Sequence, residues 1–399
     1  MRIALVSTPF VAVPPKEYGG TELVVSELAE GLIARGHEVT VFATGDSRTS
    51  AELRYLYPQA QWPPNAVIDM DHVSWAFREI AAGGFDLIHA HSAVALALSR
   101  LLPDIPLVYT LHHPRDESLS ALYSHVPEAH YVAISEDQRR REVPLPRCEV
   151  IHHGLDPARY EWRERAGDYV CFVGRLSRVK GPHTAIDVAA RAGVPIRVAG
   201  SIHKEDDGPA FAEQEVLPRL SQPHVEYLGP IGMDVKVPLL RDARALLAPI
   251  EWNEPFGLIL IEAMLSGCPV VAFPRGSVPE LVEEGITGFI VQSAEEMAEL
   301  IRPGGVLDRF DRALCRARAA ERFSRDRMVV EHEHLYRRIL AERAGQQPSV
   351  WTGALQPHAR PRWGSPRGPL VEPARGVQRV AGPETGRSSR RLQSMNEPS

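Results

Sequence analysis

Residues 1–44, MRIALVSTPFVAVPPKEYGGTELVVSELAEGLIARGHEVTVFAT, decide the fold. "RIALVST" (2–8) is a continuous apolar run, the pattern of a strand covered on both faces in a parallel sheet. "TELVVSELAEGLIARGH" (21–37) switches to helical spacing, with Leu23, Val24, Leu28, Leu32 and Ile33 on one face. Thr21 stands where it can cap the helix start, and Gly36 where a C′ glycine belongs. "EVTVFAT" (38–44) returns to a strand. Strand, crossover helix and parallel strand make a βαβ unit, and that grammar implies a doubly wound α/β sheet.

The pattern continues in "FDLIHAHS" (85–92), "PLVYTLHH" (106–113) and "AHYVAIS" (129–135), each ending in polar residues. It restarts with "YVCFVGR" (169–175), "IRVAG" (196–200), "VEYLG" (225–229), "ALLAP" (245–249) and "PVVAF" (269–273). Two Rossmann-like domains are therefore expected, over about 1–165 and 166–322, facing a cleft. A last amphipathic helix over about 323–344 places Met328, Val329, Leu335, Tyr336, Ile339 and Leu340 on one side. From residue 345 the composition changes to eight prolines and eight arginines against three acidic residues. Without apolar periodicity, 345–399 reads as a disordered Arg/Pro-rich tail.

The chain has 399 residues, 44% hydrophobic and 24% charged, enough for two cores without disulfide staples. Cys148, Cys171, Cys268 and Cys315 are scattered without a CxxC pair and read as buried thiols in a reducing compartment. The formal net charge of −6 argues against nucleic acid as the main partner. No apolar run reaches the length of a signal peptide or a membrane span, so a cytoplasmic chain is expected. Peripheral membrane contact stays open, because it needs only a basic or amphipathic face.

In open parallel sheets ligands bind beyond the carboxyl ends of the strands, which selects the candidate residues. Gly19 and Gly20 precede the first helix, where backbone N–H groups approach an anion unobstructed, although a tight turn explains them equally. The GxGxxG dinucleotide fingerprint is absent. His89, His91, His112, His113, His152 and His153 form three pairs at strand ends. Without an HExxH motif or a Cys/His cluster they read as hydrogen-bonding or structural groups, and no metal is expected. Arg175 and Lys180 in "FVGRLSRVKG" (172–181) are two cations around a turn, suited to a diphosphate or else simply solvated. In "EWNEPFGLILIEAMLSG" (251–267), Glu254 precedes Pro255, Phe256 and Gly257 in a turn. Gly257 and Leu258 then open a helix with unpaired N–H groups. Glu262, inside that helix, suits a vicinal diol such as a ribose, or a salt bridge to a neighbouring arginine.

Taken together, "YGGTE" (18–22), "HAHS" (89–92), "TLHH" (110–113), "FVGRLSRVKG", "NEPFGLILIEAMLSGCPVVA" (253–272) and "GITGFIV" (285–291) resemble the retaining family 4 glycosyltransferases of the GT-B fold. The resemblance covers roughly residues 1–342, and its most specific part is the pair of glutamates eight apart in "EPFGLILIE". It implies an enzyme that moves a hexose from a nucleotide-diphosphate sugar, a UDP-sugar first and a GDP-sugar next, to an acceptor. The expected path is front-face displacement, with no cofactor and no divalent metal. The resemblance puts Glu262 on the ribose and Glu254 at the donor sugar. It puts Arg175 and Lys180 on the diphosphate, and Gly19 and Gly20 near the phosphates or acceptor. His112 would lie near the donor sugar, and the last helix would cross back to the first domain.

The chain departs from the family pattern at His153, where Asn is common, and after "VAG" (198–200), where only Gly200 of a Gly-x-Gly turn remains. A nucleotide-sugar epimerase, a glycoside phosphorylase and a catalytically silent nucleotide-sugar-binding protein are the alternatives. The acceptor, whether a sugar, a lipid-linked or another small molecule, would be read by loops such as 44–66 and 113–125.

Overall fold

A computed structural model of the chain describes residues 1–17, 19–202 and 210–346. The expectation of a disordered tail falls, from residue 347 on, outside the described residues. The first seven strands are β1 (Arg2–Val6), β2 (Glu38–Ala43), β3 (Glu52–Tyr55), β4 (Leu87–Ala90), β5 (Leu107–Thr110), β6 (His130–Ala133) and β7 (Cys148–Val150). They form a parallel sheet in the order β3-β2-β1-β4-β5-β6-β7. A second parallel sheet contains β8 (Val170–Val173), β9 (Ile196–Ala199), β10 (Val225–Gly229), β11 (Leu246–Ala248), β12 (Val270–Ala272) and β13 (Gly288–Ile290). Its order is β10-β9-β8-β11-β12-β13. Strand order reverses between β1 and β4 in one sheet and between β8 and β11 in the other. A crevice opens beyond the strand ends at such reversals.

Three strands lie outside the sequence reading. β3 ("ELRY") and β7 ("CEV") are sheet edges with no fully buried residue, so neither carries an apolar run. β13 ("GFI") is too short to show a period. The first helix is Gly20–Ala34 and its N-cap is Gly19, two residues before the expected cap Thr21. It ends as expected: Gly36 N–H donates to Ile33 O at 2.9 Å and His37 N–H to Leu32 O at 3.1 Å, which closes the last turn.

The chain crosses between the two sheets twice, and the crossings are bonded to one another. Leu155 N–H donates to Phe323 O at 2.9 Å and Arg325 N–H to Leu155 O at 2.7 Å. A Cβ on Gly154 would lie 2.2 Å from Ser324 O, so the second crossing can pass here only over a glycine. The helix Arg312–Phe323 buries Cys315, Ala319 and Phe323 in the core of the second sheet. The helix Arg325–Gln346 returns to the first, where Met328, Val329, Leu335, Tyr336 and Ile339 share a core with Ile3, Leu5, Val24 and Leu28. Leu340, expected on the same face, is only half-buried. None of the four cysteines is in a disulfide, and three of them are buried.

This docking also buries histidines. His89 on β4 is bonded through Nδ1 to the Tyr336 hydroxyl at 2.6 Å and through Nε2 to the Thr110 hydroxyl at 2.7 Å. Burial pushes His72 and His332 down to about 4. It also leads the causes that lower His37, His89, His91, His112, His113, His130, His153 and His183. Below pH 6.5 the unfolded chain takes up protons that these folded side chains refuse, so stability falls as pH falls from about 6.5 toward about 4. Three carboxylates raised by burial, Glu22, Glu27 and Asp69, work the other way but are outnumbered. Urea unfolding between pH 7 and pH 5 should therefore show midpoints that fall as the pH is lowered. A flat or rising profile would contradict this burial.

Candidate active site

Most of the expected site residues come from the loops that follow the strands at or next to the two strand-order reversals. Gly19 and Gly20 follow β1, His91 follows β4, and His112 follows β5. Arg175 and Lys180 follow β8, and Glu254 follows β11. The β8 and β11 loops are tied together, Glu251 N–H donating to Val179 O at 2.9 Å. Arg175 is half-buried on the turn after β8. Gly20 reaches across from the first sheet: a Cβ there would lie 3.3 Å from Leu258 Cδ1.

Glu254 and Glu262 bracket the start of the helix Leu258–Leu265, whose N-cap is Gly257. Both carboxylates are nearly dry, with side chains 10% and 4% exposed. A buried carboxylate needs a partner, and each has a lysine. Glu254 Oε2 accepts from Lys180 Nζ and from Trp252 Nε1, the latter at 2.8 Å. Lys180 Nζ also stands 5.3 Å from the centre of the Trp252 ring, where the π face favours a cation. Glu262 Oε1 accepts from Lys236 Nζ at 2.6 Å and from the Tyr160 hydroxyl at 3.1 Å. The neighbouring cation is thus a lysine from the helix Met233–Asp242, not the arginine considered from the sequence.

The turn that carries Glu254 is held from behind. Ser277 N–H donates to Glu254 O at 3.0 Å, and the Ser277 hydroxyl to Phe256 O at 2.6 Å. Gly276 sits at φ +56°, with Glu254 N only 2.3 Å from where a Cβ would be, so any side chain there would push the turn aside. Phe256 is buried and packs edge-on to His153, with ring centres 4.9 Å apart. His153 stacks on His112 at 5.5 Å, and His112 Nε2 is bonded to His91 Nδ1 at 2.7 Å. Burial, then neighbouring imidazoles, push His112 well below the ordinary histidine range.

The structure therefore brings together Gly20 and Leu258, Lys180 and Glu254, and His112 with Phe256 through His153. It adds Trp252, Tyr160 and Lys236, which the motifs did not single out, and bonds His91 of the HAHS motif to His112. Lys236 had a legible signal only in part: the helix "MDVKVPLLRD" carries two cations, Lys236 and Arg241, and nothing local says which acid Lys236 meets. Among the described residues no group of three or more His, Cys, Asp or Glu stands where it could hold a metal ion, and no helix is long and apolar enough to cross a membrane.

Removing one partner of a buried ion pair costs about 3–5 kcal/mol, whereas replacing both with apolar groups is often neutral. Lys236→Met should accordingly destabilise the chain by about 3–5 kcal/mol in urea unfolding, and adding Glu262→Leu should recover most of that loss. Purely additive losses would show that the two side chains do not hold each other.

Two family models match successive parts of the chain. Glycosyltransferase Family 4 matches residues 18–159, and Glycosyl transferases group 1 matches residues 161–303. The D-inositol 3-phosphate glycosyltransferase of Mycolicibacterium smegmatis is 26% identical over 87% of this chain and 93% of its own length. Spore coat protein SA of Bacillus subtilis is 24% identical over 74% of this chain and 86% of its own. Among solved structures, sucrose-phosphate synthase from Thermosynechococcus elongatus superposes with a TM-score of 0.73 at 22% identity, over 86% of this chain and 100% of that one. Anabaena HepE in complex with UDP superposes with a TM-score of 0.65 at 20% identity, over 85% and 100%. With a Family 4 domain on the first sheet, a group 1 domain on the second and GT-B fold neighbours over 85–86% of its length, the chain belongs to the GT-B glycosyltransferases.

Proposed function

We propose that this glycosyltransferase moves a hexose from a nucleotide-diphosphate sugar to a sugar, lipid-linked or small-molecule acceptor with retention at the anomeric carbon. UDP is the favoured nucleotide, and GDP the next. The observation that carries the reading is the pair of buried carboxylates flanking one helix start, each neutralised by a lysine, of which Lys180 is the one a ligand would recruit. UDP bound to HepE, a fold neighbour, supports the nucleotide.

In this reading the donor takes over part of the pairing between Lys180 and Glu254. The diphosphate takes the charge of Lys180, with Arg175 beside it on the same loop. Glu254, released from Lys180 and still held by Trp252, accepts hydrogens from the sugar hydroxyls. Glu262 keeps Oε1 on Lys236 and Tyr160 and offers Oε2 to the ribose diol. Gly257 and Leu258 present their backbone N–H groups to the donor, Phe256 walls the site, and Gly19 and Gly20 face it from the first domain.

The bond from the anomeric carbon to the phosphate oxygen breaks, and its electron pair leaves with the diphosphate. The acceptor oxygen bonds the same carbon from the same face, and its proton passes to the departing phosphate oxygen. The protein supplies positioning and charge stabilisation rather than a nucleophile. Arg175 and Lys180 meet the developing charge, so the reading includes no divalent cation.

A charge-assisted contact is worth about 1.5–3 kcal/mol, or roughly 10- to 150-fold in rate. Lys180→Ala should lower turnover of the preferred nucleotide sugar by that factor, with a smaller change in donor affinity, and EDTA should leave the wild-type rate unchanged. NMR of the product should show the anomeric configuration of the donor. An unaltered turnover in Lys180→Ala, or an inverted product, would overturn the mechanism.

A further inference from the structure

The resemblance and the fold account for His112 at the strand end but not for the four histidines packed behind it. Those side chains form a column. His89 is fully buried with both ring nitrogens occupied, by Tyr336 of the last helix and by Thr110. Its ring stacks on His91 with centres 4.6 Å apart and an interplanar angle of 28°. His332 lies 5.4 Å from His89 and is bonded through Nδ1 to Met328 O at 2.8 Å. His91 is thereby fixed in plane, and its Nδ1 meets His112 Nε2 at 2.7 Å. His153 closes the column, stacked on His112 and backed by Phe256.

One bond between two neutral imidazoles has two possible directions, and the far nitrogens decide between them. His91 Nε2 is buried with no hydrogen-bond partner. If His112 donated, His91 would carry its proton on that nitrogen, leaving a buried N–H without an acceptor. If His91 donates, only a lone pair is left there. Orphaned buried N–H groups are the rarer and costlier case. Donation from His91 forces the proton of neutral His112 onto Nδ1. His112 is half-buried at the carboxyl end of β5, and its Nδ1 has no bond to protein among the described residues.

We propose that His91 is a positioning residue: it donates Nδ1–H to His112 Nε2 and so holds His112 in the tautomer that offers an N–H, at Nδ1, to the cleft. His112 then serves as a hydrogen-bond donor to a hydroxyl or phosphate oxygen and not as a base. His89, locked by Tyr336 and Thr110, keeps His91 in plane, which ties the orientation of His112 to the docking of the last helix. The consequence for transfer rests on the nucleotide-sugar reading above, whereas the tautomer does not.

The first test is long-range nitrogen–proton NMR of the full chain labelled with nitrogen-15 at histidine, without nucleotide, with ring signals assigned from His91→Asn and His112→Asn. The expected result is the Nδ1–H tautomer at both His91 and His112, and an Nε2–H signal at His112 overturns the proposal. The second test is kinetic. Removing one preorganised donor costs roughly 10²–10³ in kcat, and loosening it a fraction of that. His91→Leu should lower kcat at least about tenfold while nucleotide affinity holds, and His91→Asn, whose amide nitrogen can take the place of Nδ1, should recover most of the loss. Equal rates in His91→Leu and wild type overturn the proposal. If His91→Leu does not fold, the wild-type spectrum decides alone. A wild-type chain with the expected tautomers that binds no nucleotide supports the assignment of His91 and refutes the nucleotide-sugar reading instead.

Discussion

Two carboxylates held nearly dry at one helix start are the constraint on which the rest of the site depends. Glu254 and Glu262 have little water around them, and a buried charge is tolerated only when something nearby answers it. The answer comes from four separate places in the chain: Lys180 after β8, Trp252 after β11, Lys236 on the helix Met233–Asp242, and Tyr160 between the two sheets. Each must be delivered to within hydrogen-bonding reach. The second sheet does this for Lys180 and Trp252 by placing the β8 and β11 loops side by side at its strand-order reversal.

The first domain is held to this arrangement by polar contacts that also depend on the same turn. The Ser135 hydroxyl donates to Pro255 O at 2.7 Å, next to Glu254. Glu280 accepts from Glu136 N–H at 2.9 Å and from His152, so a carboxylate of the second domain closes the start of the helix Glu136–Arg141 in the first. Glu27, buried in the first helix of the chain, meets Arg159 and Arg325, one on each crossing segment. The two crossings at Leu155 and Ser324 therefore work as a single strap, and the last helix carries Tyr336 and His332 back beneath the strand ends that bear His91 and His112.

Much of this was legible in the sequence, for reasons that differ by residue. Buried parallel strands announce themselves as apolar runs, so β1, β2 and the strands flanking the reversals were readable, while the polar edge β3 was not. Glu254, Arg175 and Lys180 could be singled out because they stand at strand ends, and Glu262 because it is an acid inside an otherwise apolar helix; their roles belong to the proposed function. Lys236 and Tyr160 were not, because an ion pair between residues 26 apart and a hydroxyl bond across 102 leave no local pattern. The histidine pairs were visible as pairs, but their stacking into one column depends on the last helix folding back. The N-cap shows a milder version: Thr21 has the right chemistry, yet the cap is Gly19, two residues earlier, where a Cβ would lie 2.8 Å from Pro15 Cβ.

The central claim is that the paired carboxylates form a nucleotide site, and calorimetric titration of UDP, GDP and ADP into the full chain tests it most directly. The account predicts saturable binding of one of them, with UDP favoured, and loss of that binding in Glu262→Ala, which removes the ribose contact. No binding by any of the three, or equal affinity in Glu262→Ala, would contradict it and leave Glu254 and Glu262 as purely structural charges.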